Sequence, residues 1–201
     1  MGLGNPGPEY AGTRHNVGFE VAALLCKSIG AREAERTRTY ASWRTDEITV
    51  LTPLTYMNLS GDALADYDER HGLSVEDLLV VVDDVYLPLG TVRLRARGSD
   101  GGHNGLWSIE QYLGTDQYAR LRVGVGRGEQ ELKDHVLSGF EKDEEEVLQT
   151  ALDAAREVQL DEFNAQHQEQ IVWAPSFNVA GAYFDQAVRS GQLAGKTLDT
   201  V

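Results

Sequence analysis

Apolar residues fall along this chain in short blocks, and their period changes from one block to the next. Val17, Val21, Leu24, Leu25 and Ile29 stand at three- and four-residue intervals, which predicts a helix over 16–29 stopped by Gly30. Segments 39–45 and 47–52 are β-like, with Asp46 near the turn and Pro53 at the end of the second. Ser60 is placed to cap a helix over 61–71 that ends at Gly72, and Ser74 with Asp77 resembles a short capping box. Leu78 to Val82 is continuously apolar, the pattern of a strand buried on both faces. Residues 90–97 alternate, with Arg93, Arg95 and Arg97 on one face and Val92, Leu94 and Ala96 on the other. A Gly-rich loop over 98–105 leads into a helix over 106–113, a further strand covers 119–125, and an acidic helix spans 141–166. Gly2 to Gly4 reads as the stub of a strand, and 170–201 as a loosely attached helix with a frayed end. Strands alternating with helices predict a single α/β domain whose mixed, twisted β-sheet is flanked by α-helices.

Composition narrows the class. A chain of 201 residues with 41% hydrophobic and 25% charged residues can bury a sizeable core, which excludes a disordered chain. No apolar run approaches the roughly 20 residues that span a bilayer, and no basic region leads into an apolar one at the N-terminus. The single cysteine, Cys26, lies in the helical apolar pattern and reads as core filler. A cytoplasmic protein is expected, without association with membranes.

The net charge of −14 argues against indiscriminate nucleic-acid binding, but its distribution is uneven. From 93 to 127 there are six arginines (93, 95, 97, 120, 122 and 127) against Asp100, Glu110 and Asp116, a local balance of +3. From 141 to 169 ten acids face only Lys142 and Arg156, a balance of −8, which reads as an acidic solvated face. The arginine-bearing strand face over 93–97, joined by Arg122, could meet phosphates or simply face solvent.

Five polar constellations sit between the apolar blocks: Gly-Leu-Gly-Asn-Pro-Gly at 2–7, Thr-Arg-His-Asn at 13–16, Thr-Tyr-Met-Asn-Leu-Ser-Gly at 55–61, Val-Asp-Asp at 82–84 and Gly-Gly-His-Asn-Gly at 101–105. Residues 2–7 match the glycine spacing of a dinucleotide-binding turn, but Pro6, Pro8 and Gly12 keep the chain irregular where that turn needs a helix to open. A tight strand exit that projects Asn5 fits better. Asp83 ends an apolar strand, and ligands in open α/β sheets gather at the carboxyl ends of strands. An aspartate bonded to one nitrogen of His15 would fix its tautomer and leave the other nitrogen to take a proton. With no well-placed serine or cysteine, water is the simplest nucleophile. Asp84 competes with Asp83 for this part. Asn58 and Asn104 stand near helix starts, where amides can orient an ester or stabilise its oxyanion without titrating. No second His or Cys lies at metal spacing from His103, so no metal site is expected.

Taken together the motifs closely resemble bacterial-type peptidyl-tRNA hydrolase. The likeness covers about residues 2–140, in order and spacing, and continues through Arg-Leu-Arg-Val-Gly-Val-Gly-Arg at 120–127 and His-Val-Leu-Ser at 135–138. It implies hydrolysis of the ester joining a peptide to the tRNA 3′ end, on a single α/β domain and without a cofactor. By resemblance His15 is the catalytic base and Asp83 its partner. Asn5, Asn58 and Asn104 would hold substrate and water, Tyr10, Met57 and His103 would line the peptide-end cleft, and Arg95 and Arg122 would contact tRNA phosphates. The chain departs from the family pattern at Tyr86, Asp100 and Trp107, and in its acidic C-terminal helix. The implied domain covers 1–167, with 168–201 as an extension of unassigned role. Peptidyl-tRNA would be its only obligatory partner, met as a monomer. The competing readings are an RNA-binding relative of the family without hydrolysis and a dinucleotide-binding enzyme built on residues 2–7.

Overall fold

The computed structural model describes residues 1–161 and 172–173. Helix α1 covers Val17–Ile29 and stops where Gly30 takes the left-handed conformation. A three-stranded antiparallel sheet follows: β1 (Arg32–Arg36), β2 (Tyr40–Arg44) and β3 (Thr49–Pro53), in that order across the sheet. Helix α2 (Ser60–His71) leads to β4 (Leu79–Asp84) and β5 (Val92–Arg95). Helix α3 (Asn104–Leu113), β6 (Ala119–Gly124), α4 (Leu132–Val136) and α5 (Glu145–Asp161) follow, and β7 (Val172–Trp173) pairs antiparallel with β5. The second sheet runs β4-β6-β5-β7, with β4 parallel to β6 and β5 antiparallel to β6.

The N-terminal residues join the two sheets. Gly2 N–H donates to the Leu51 carbonyl in β3 at 2.9 Å, and Leu3 N–H donates to the Val81 carbonyl in β4 at 2.9 Å. Gly2 also forms a parallel bridge with Val81. The strand stub read at residues 2–4 is therefore the seam of a mixed sheet.

Strand alternation divides the core. Val80 and Val82 face α2 and α3, packing with Leu64, Leu106, Ile109 and Tyr118. Val81 faces the other way with Leu121 and Val123, against Val17 and Val21 of α1 and Ala151 and Ala155 of α5. The apolar run at 78–82 is continuous because both faces of β4 are covered. Cys26 packs against the cluster of Ala22, Leu25 and Val50 where α1 covers the first sheet, and burial pushes its thiol above the ordinary value, as suits core filler.

Close backbone approach sets helix positions at two glycines. A Cβ on Gly18 would lie 2.5 Å from the Leu3 nitrogen and 2.6 Å from the Val81 carbonyl oxygen, so α1 rides directly on the sheet seam. A Cβ on Gly61 would collide with the Ser108 carbonyl, and this lets α2 lie against α3.

Several expectations are corrected. Ser60 is the first residue of α2 and not its cap, because a 3-10 turn at Met57–Leu59 precedes it and the Ser60 hydroxyl donates back to the Met57 carbonyl at 2.7 Å. Ser74 precedes a 3-10 turn at Val75–Asp77 without a side-chain cap, so no capping box forms. Helix α3 begins at Asn104, two residues before the expected start, because His103 caps it. Helix α5 begins at Glu145, after a turn closed by Glu144 N–H on the Glu141 carbonyl at 2.9 Å. Strand β1 and helix α4 were not foreseen. The expectation for 168–201 lies outside the described residues except at Val172–Trp173.

Candidate active site

The carboxyl ends of β4 and β6 lie side by side, since Asp83 pairs with Val123 and Asp84 with Gly124. At that edge Asp83 is 3% exposed, and one of its oxygens meets two imidazoles. His15 Nδ1 and His103 Nε2 each lie 2.9 Å from Asp83 Oδ1. The two rings stand 4.9 Å apart, tilted by 51°. His15 arrives on a 3-10 turn, Arg14–Asn16, that runs directly into α1. His103 arrives at the N-cap of α3.

Proton positions follow from the partners. His103 Nδ1 accepts from Gly105 N–H at 3.1 Å and Leu106 N–H at 3.3 Å. That nitrogen must therefore carry a lone pair, so in the neutral ring the proton sits on Nε2 and is donated to Asp83. The second imidazole donates its Nδ1–H to the same oxygen, which leaves Nε2 of His15 as the basic lone pair. Burial alone would raise the Asp83 carboxyl. The facing imidazoles of His103 and His15, by charge and by hydrogen bonding, outweigh burial and hold it well below the usual carboxylate range. Asp83 is thus a permanent anion that orients both rings. Asp84 points to the opposite face of the strand and meets Arg122, so of the two aspartates Asp83 is the one bonded to His15.

The asparagines take different positions. Asn5 is 7% exposed, and its Oδ1 accepts from Met57 N–H at 2.8 Å. Its backbone is clamped by Asn16: Asn5 N–H donates to Asn16 Oδ1 at 2.8 Å, and Asn16 Nδ2 donates to the Asn5 carbonyl at 3.0 Å. The Asn5 amide is therefore fixed, with its NH2 group as the remaining donor. Met57 is buried beneath the turn that carries the exposed Asn58. Asn104 is exposed in the first turn of α3, beside His103. Tyr10 is half-buried and makes an edge contact with the exposed Tyr56, ring centroids 6.2 Å apart. Arg95 is exposed on β5, whereas Arg122 lies 14% exposed against Asp84 and the loop before His103.

Arg14 and Asn16, quoted in the motif but given no role, hold the His15 turn on both sides. Arg14 Nη1 donates to the Val125 carbonyl at 3.2 Å and Nη2 to Glu144 Oε2 at 2.6 Å, with the guanidinium over the Phe140 ring. Its backbone N–H donates to the Ser138 carbonyl at 3.0 Å, and Thr13 bridges Gly139. The sequence carries one signal of this, a cation flanking the histidine just before an apolar helix.

His15, Asp83 and His103 also offer ligand atoms within 4.8 Å of one another, a donor set that by type could hold a cation. Spacing along the chain hid this cluster, because its members lie 68 and 20 positions from Asp83. Here the shared carboxylate oxygen accepts a hydrogen bond from each ring, the arrangement of an orienting acceptor. The glycines at 2–7 open no helix: Pro8–Tyr10 is a 3-10 turn and α1 starts at Val17, so the pyrophosphate-binding geometry of a dinucleotide turn is missing there.

Comparison with known proteins identifies the family of the chain as a whole. The family model described as peptidyl-tRNA hydrolase matches residues 1–174. A peptidyl-tRNA hydrolase of Parabacteroides distasonis is 46% identical over 164 residues, covering 78% of this chain and 87% of that protein. One from Sulfurihydrogenibium sp. is 43% identical over 162 residues, covering 78% and 86%. The crystal structure of peptidyl-tRNA hydrolase from Acinetobacter baumannii superposes with a TM-score of 0.73 at 33% identity, over 79% of this chain and 85% of that one. With a family model matched over residues 1–174 and relatives above 40% identity over most of its length, the chain belongs to the peptidyl-tRNA hydrolase family.

Proposed function

We propose that the protein hydrolyses the ester between peptide and tRNA in peptidyl-tRNA, releasing tRNA for reuse in translation, with His15 as general base. The observation that carries this is the single Asp83 oxygen bonded by His15 Nδ1, which leaves the opposite ring nitrogen to act on water. Water attacks the ester carbonyl as His15 Nε2 takes its proton. The tetrahedral intermediate collapses, and the imidazolium returns that proton to the departing tRNA hydroxyl, so peptide acid and free tRNA leave without net change in the enzyme. Asn5, Asn58 and Asn104 supply neutral donors to the carbonyl oxygen and the attacking water. Tyr10 and Met57 line the peptide side, and His103 closes it while holding Asp83. Arg95, exposed on its strand, and Arg122 on the neighbouring strand are the phosphate contacts.

On this reading the protein acts as a cytoplasmic monomer that needs no cofactor. No described helix is long and apolar enough to cross a membrane, in keeping with a substrate that belongs to translation. The decisive experiment is release of peptide from peptidyl-tRNA by the wild-type chain and by His15→Ala. The substitution is expected to lower kcat about 10²- to 10⁴-fold in a protein that keeps its fold by circular dichroism. Stable tRNA binding by the wild-type chain without cleavage would overturn the reading and favour a non-hydrolytic RNA-binding relative.

A further inference from the structure

Arg14 adjoins the proposed general base and has no part in the proton transfer, yet it is only 5% exposed. It lies in a single 3-10 turn, Arg14–Asn16, which is too short to hold its place by internal bonds alone. The two terminal nitrogens of its guanidinium run to different parts of the fold. Nη1 donates to the Val125 carbonyl, and Val125 N–H donates to the Asp84 carbonyl at 3.1 Å. The path closes on itself: His15 bonds Asp83, Asp84 follows Asp83 on β4, Val125 bonds Asp84, and Arg14 bonds Val125. One guanidinium thus ties the turn that carries the base to the strand end that carries its carboxylate.

The second nitrogen, Nη2, ends on Glu144. Glu144 is half-buried, whereas Glu141, Asp143, Glu145 and Glu146 around it are exposed. The acidic solvated face expected over 141–169 therefore has an exception whose carboxylate turns inward. Its Oε2 also accepts from Glu141 N–H at 2.8 Å, and its own N–H donates to the Glu141 carbonyl, so side chain and backbone lock the same turn. Burial alone would raise the Glu144 carboxyl. The hydrogen bond from Arg14, with the Glu141 N–H and the guanidinium charge, outweighs burial and holds it below the ordinary value, as an anion. The Phe140 ring lies under the guanidinium, its centroid 4.6 Å from Cζ, and fixes the plane of the fork. The Ser138 carbonyl holds the Arg14 N–H, and Gly139 bridges Thr13. The stretch 138–144 thus grips Arg14 at its backbone, its ring-stacked face and its charged end.

We infer that, on the peptidyl-tRNA reading above, Glu144 is a positioning residue for hydrolysis. Acting through Arg14, it sets the direction of the His15 ring toward Asp83 without meeting substrate. A planar fork suits this work, because it serves Val125 and Glu144 in different directions while stacked on Phe140, and an ammonium has no such plane. His103 reaches the same Asp83 oxygen from the N-cap of α3, by a route that includes neither Arg14 nor Glu144. Its bond to Asp83 is therefore an internal reference for that of His15.

The test uses Glu144→Gln and Arg14→Lys in the full chain, with Leu152→Ala, a core substitution elsewhere on α5, as the control for lost stability alone. Peptidyl-tRNA hydrolysis is measured at salt high enough to screen the change of charge. Glu144→Gln and Arg14→Lys are each expected to lower kcat about 10- to 100-fold with KM unchanged, and Leu152→Ala to keep its kcat while unfolding at lower denaturant. In free protein with isotope-labelled histidine, followed by nuclear magnetic resonance, the His15 Nδ1 proton should exchange faster with water in both variants. The His103 Nε2 proton should exchange as in wild type. Wild-type kcat in folded Glu144→Gln, a changed KM with kcat retained, an equal loss of kcat in Leu152→Ala at the same loss of stability, or an equal effect on both imidazole protons overturns the inference. Arg14→Lys, which retains the charge, carries the same test where Glu144→Gln fails to fold. Wild-type protein that leaves peptidyl-tRNA uncleaved overturns the functional reading instead, and the imidazole protons of the free protein still decide the placement.

Discussion

At the level of single residues, the proposed chemistry turns on one buried carboxylate oxygen, that of Asp83. Asp83→Asn keeps the shape but presents an amide to two N–H donors, so the tautomers of both rings are no longer enforced. It is expected to lower kcat about 10²- to 10⁴-fold while leaving KM close to wild type, as read in steady-state hydrolysis. The same group makes a prediction about pH. Its carboxyl lies below the ordinary value of 3.8 in the folded protein, so the folded state binds fewer protons than the unfolded state in the acid range. The stability it contributes is complete above about pH 5 and declines as pH falls toward the folded value. Thermal melts from pH 7 to pH 3 should fall more steeply for wild type than for Asp83→Asn. His15, Asp83 and Asn5 were legible in the sequence, because each follows a strand end or opens a helix. The second bond from His103 to Asp83 was not, since capping a helix and facing a strand end are both tertiary facts. Nor was Asn16, whose amide, among the described residues, clamps the backbone of Asn5.

Among elements, the distance from His15 to Asp83 depends on how closely α1 lies on the sheet. Gly18 sits one turn beyond His15, where any side chain would strike the backbone of Leu3 and Val81. Gly18→Ala should therefore lower stability by about 1–3 kcal/mol and reduce kcat in the same variant, checked by denaturant unfolding and initial rates. Retained kcat in a destabilised protein would separate helix seating from catalysis. Elements with a clear apolar period were readable from the chain: α1, β2 to β6 and α3 all lie within a few residues of their expected places. Strand β1 was not, because Arg-Glu-Ala-Glu-Arg has no apolar face. It is an edge strand whose charges face solvent, a composition that discourages pairing with other chains. Helix α4 has five residues, too few for a period to show.

Across the whole molecule, an acidic protein must meet a polyanion. Glu141, Asp143, Glu145 and Glu146 are exposed at and before the start of α5, adding to a net charge of −14. Neutralising Asp143, Glu145 and Glu146 as amides should lower KM for peptidyl-tRNA at low salt. The difference should vanish near 1 M salt, where the screening length falls to about 3 Å. An undiminished difference at high salt would mean that these groups act by contact. Glu144 is kept out of that set because its carboxylate holds Arg14 and the Glu141 N–H. This tie has a consequence for biosynthesis. The turn bearing His15 is made first, but its anchors at Val125, Ser138 and Glu144 come more than a hundred positions later. A nascent chain that ends between Asn104 and Arg122 carries every side chain of the proposed reaction except Arg122 and still lacks all three anchors of the turn that seats its base. Hydrolysis should therefore switch on late, only once the far third of the polypeptide has cleared the ribosome.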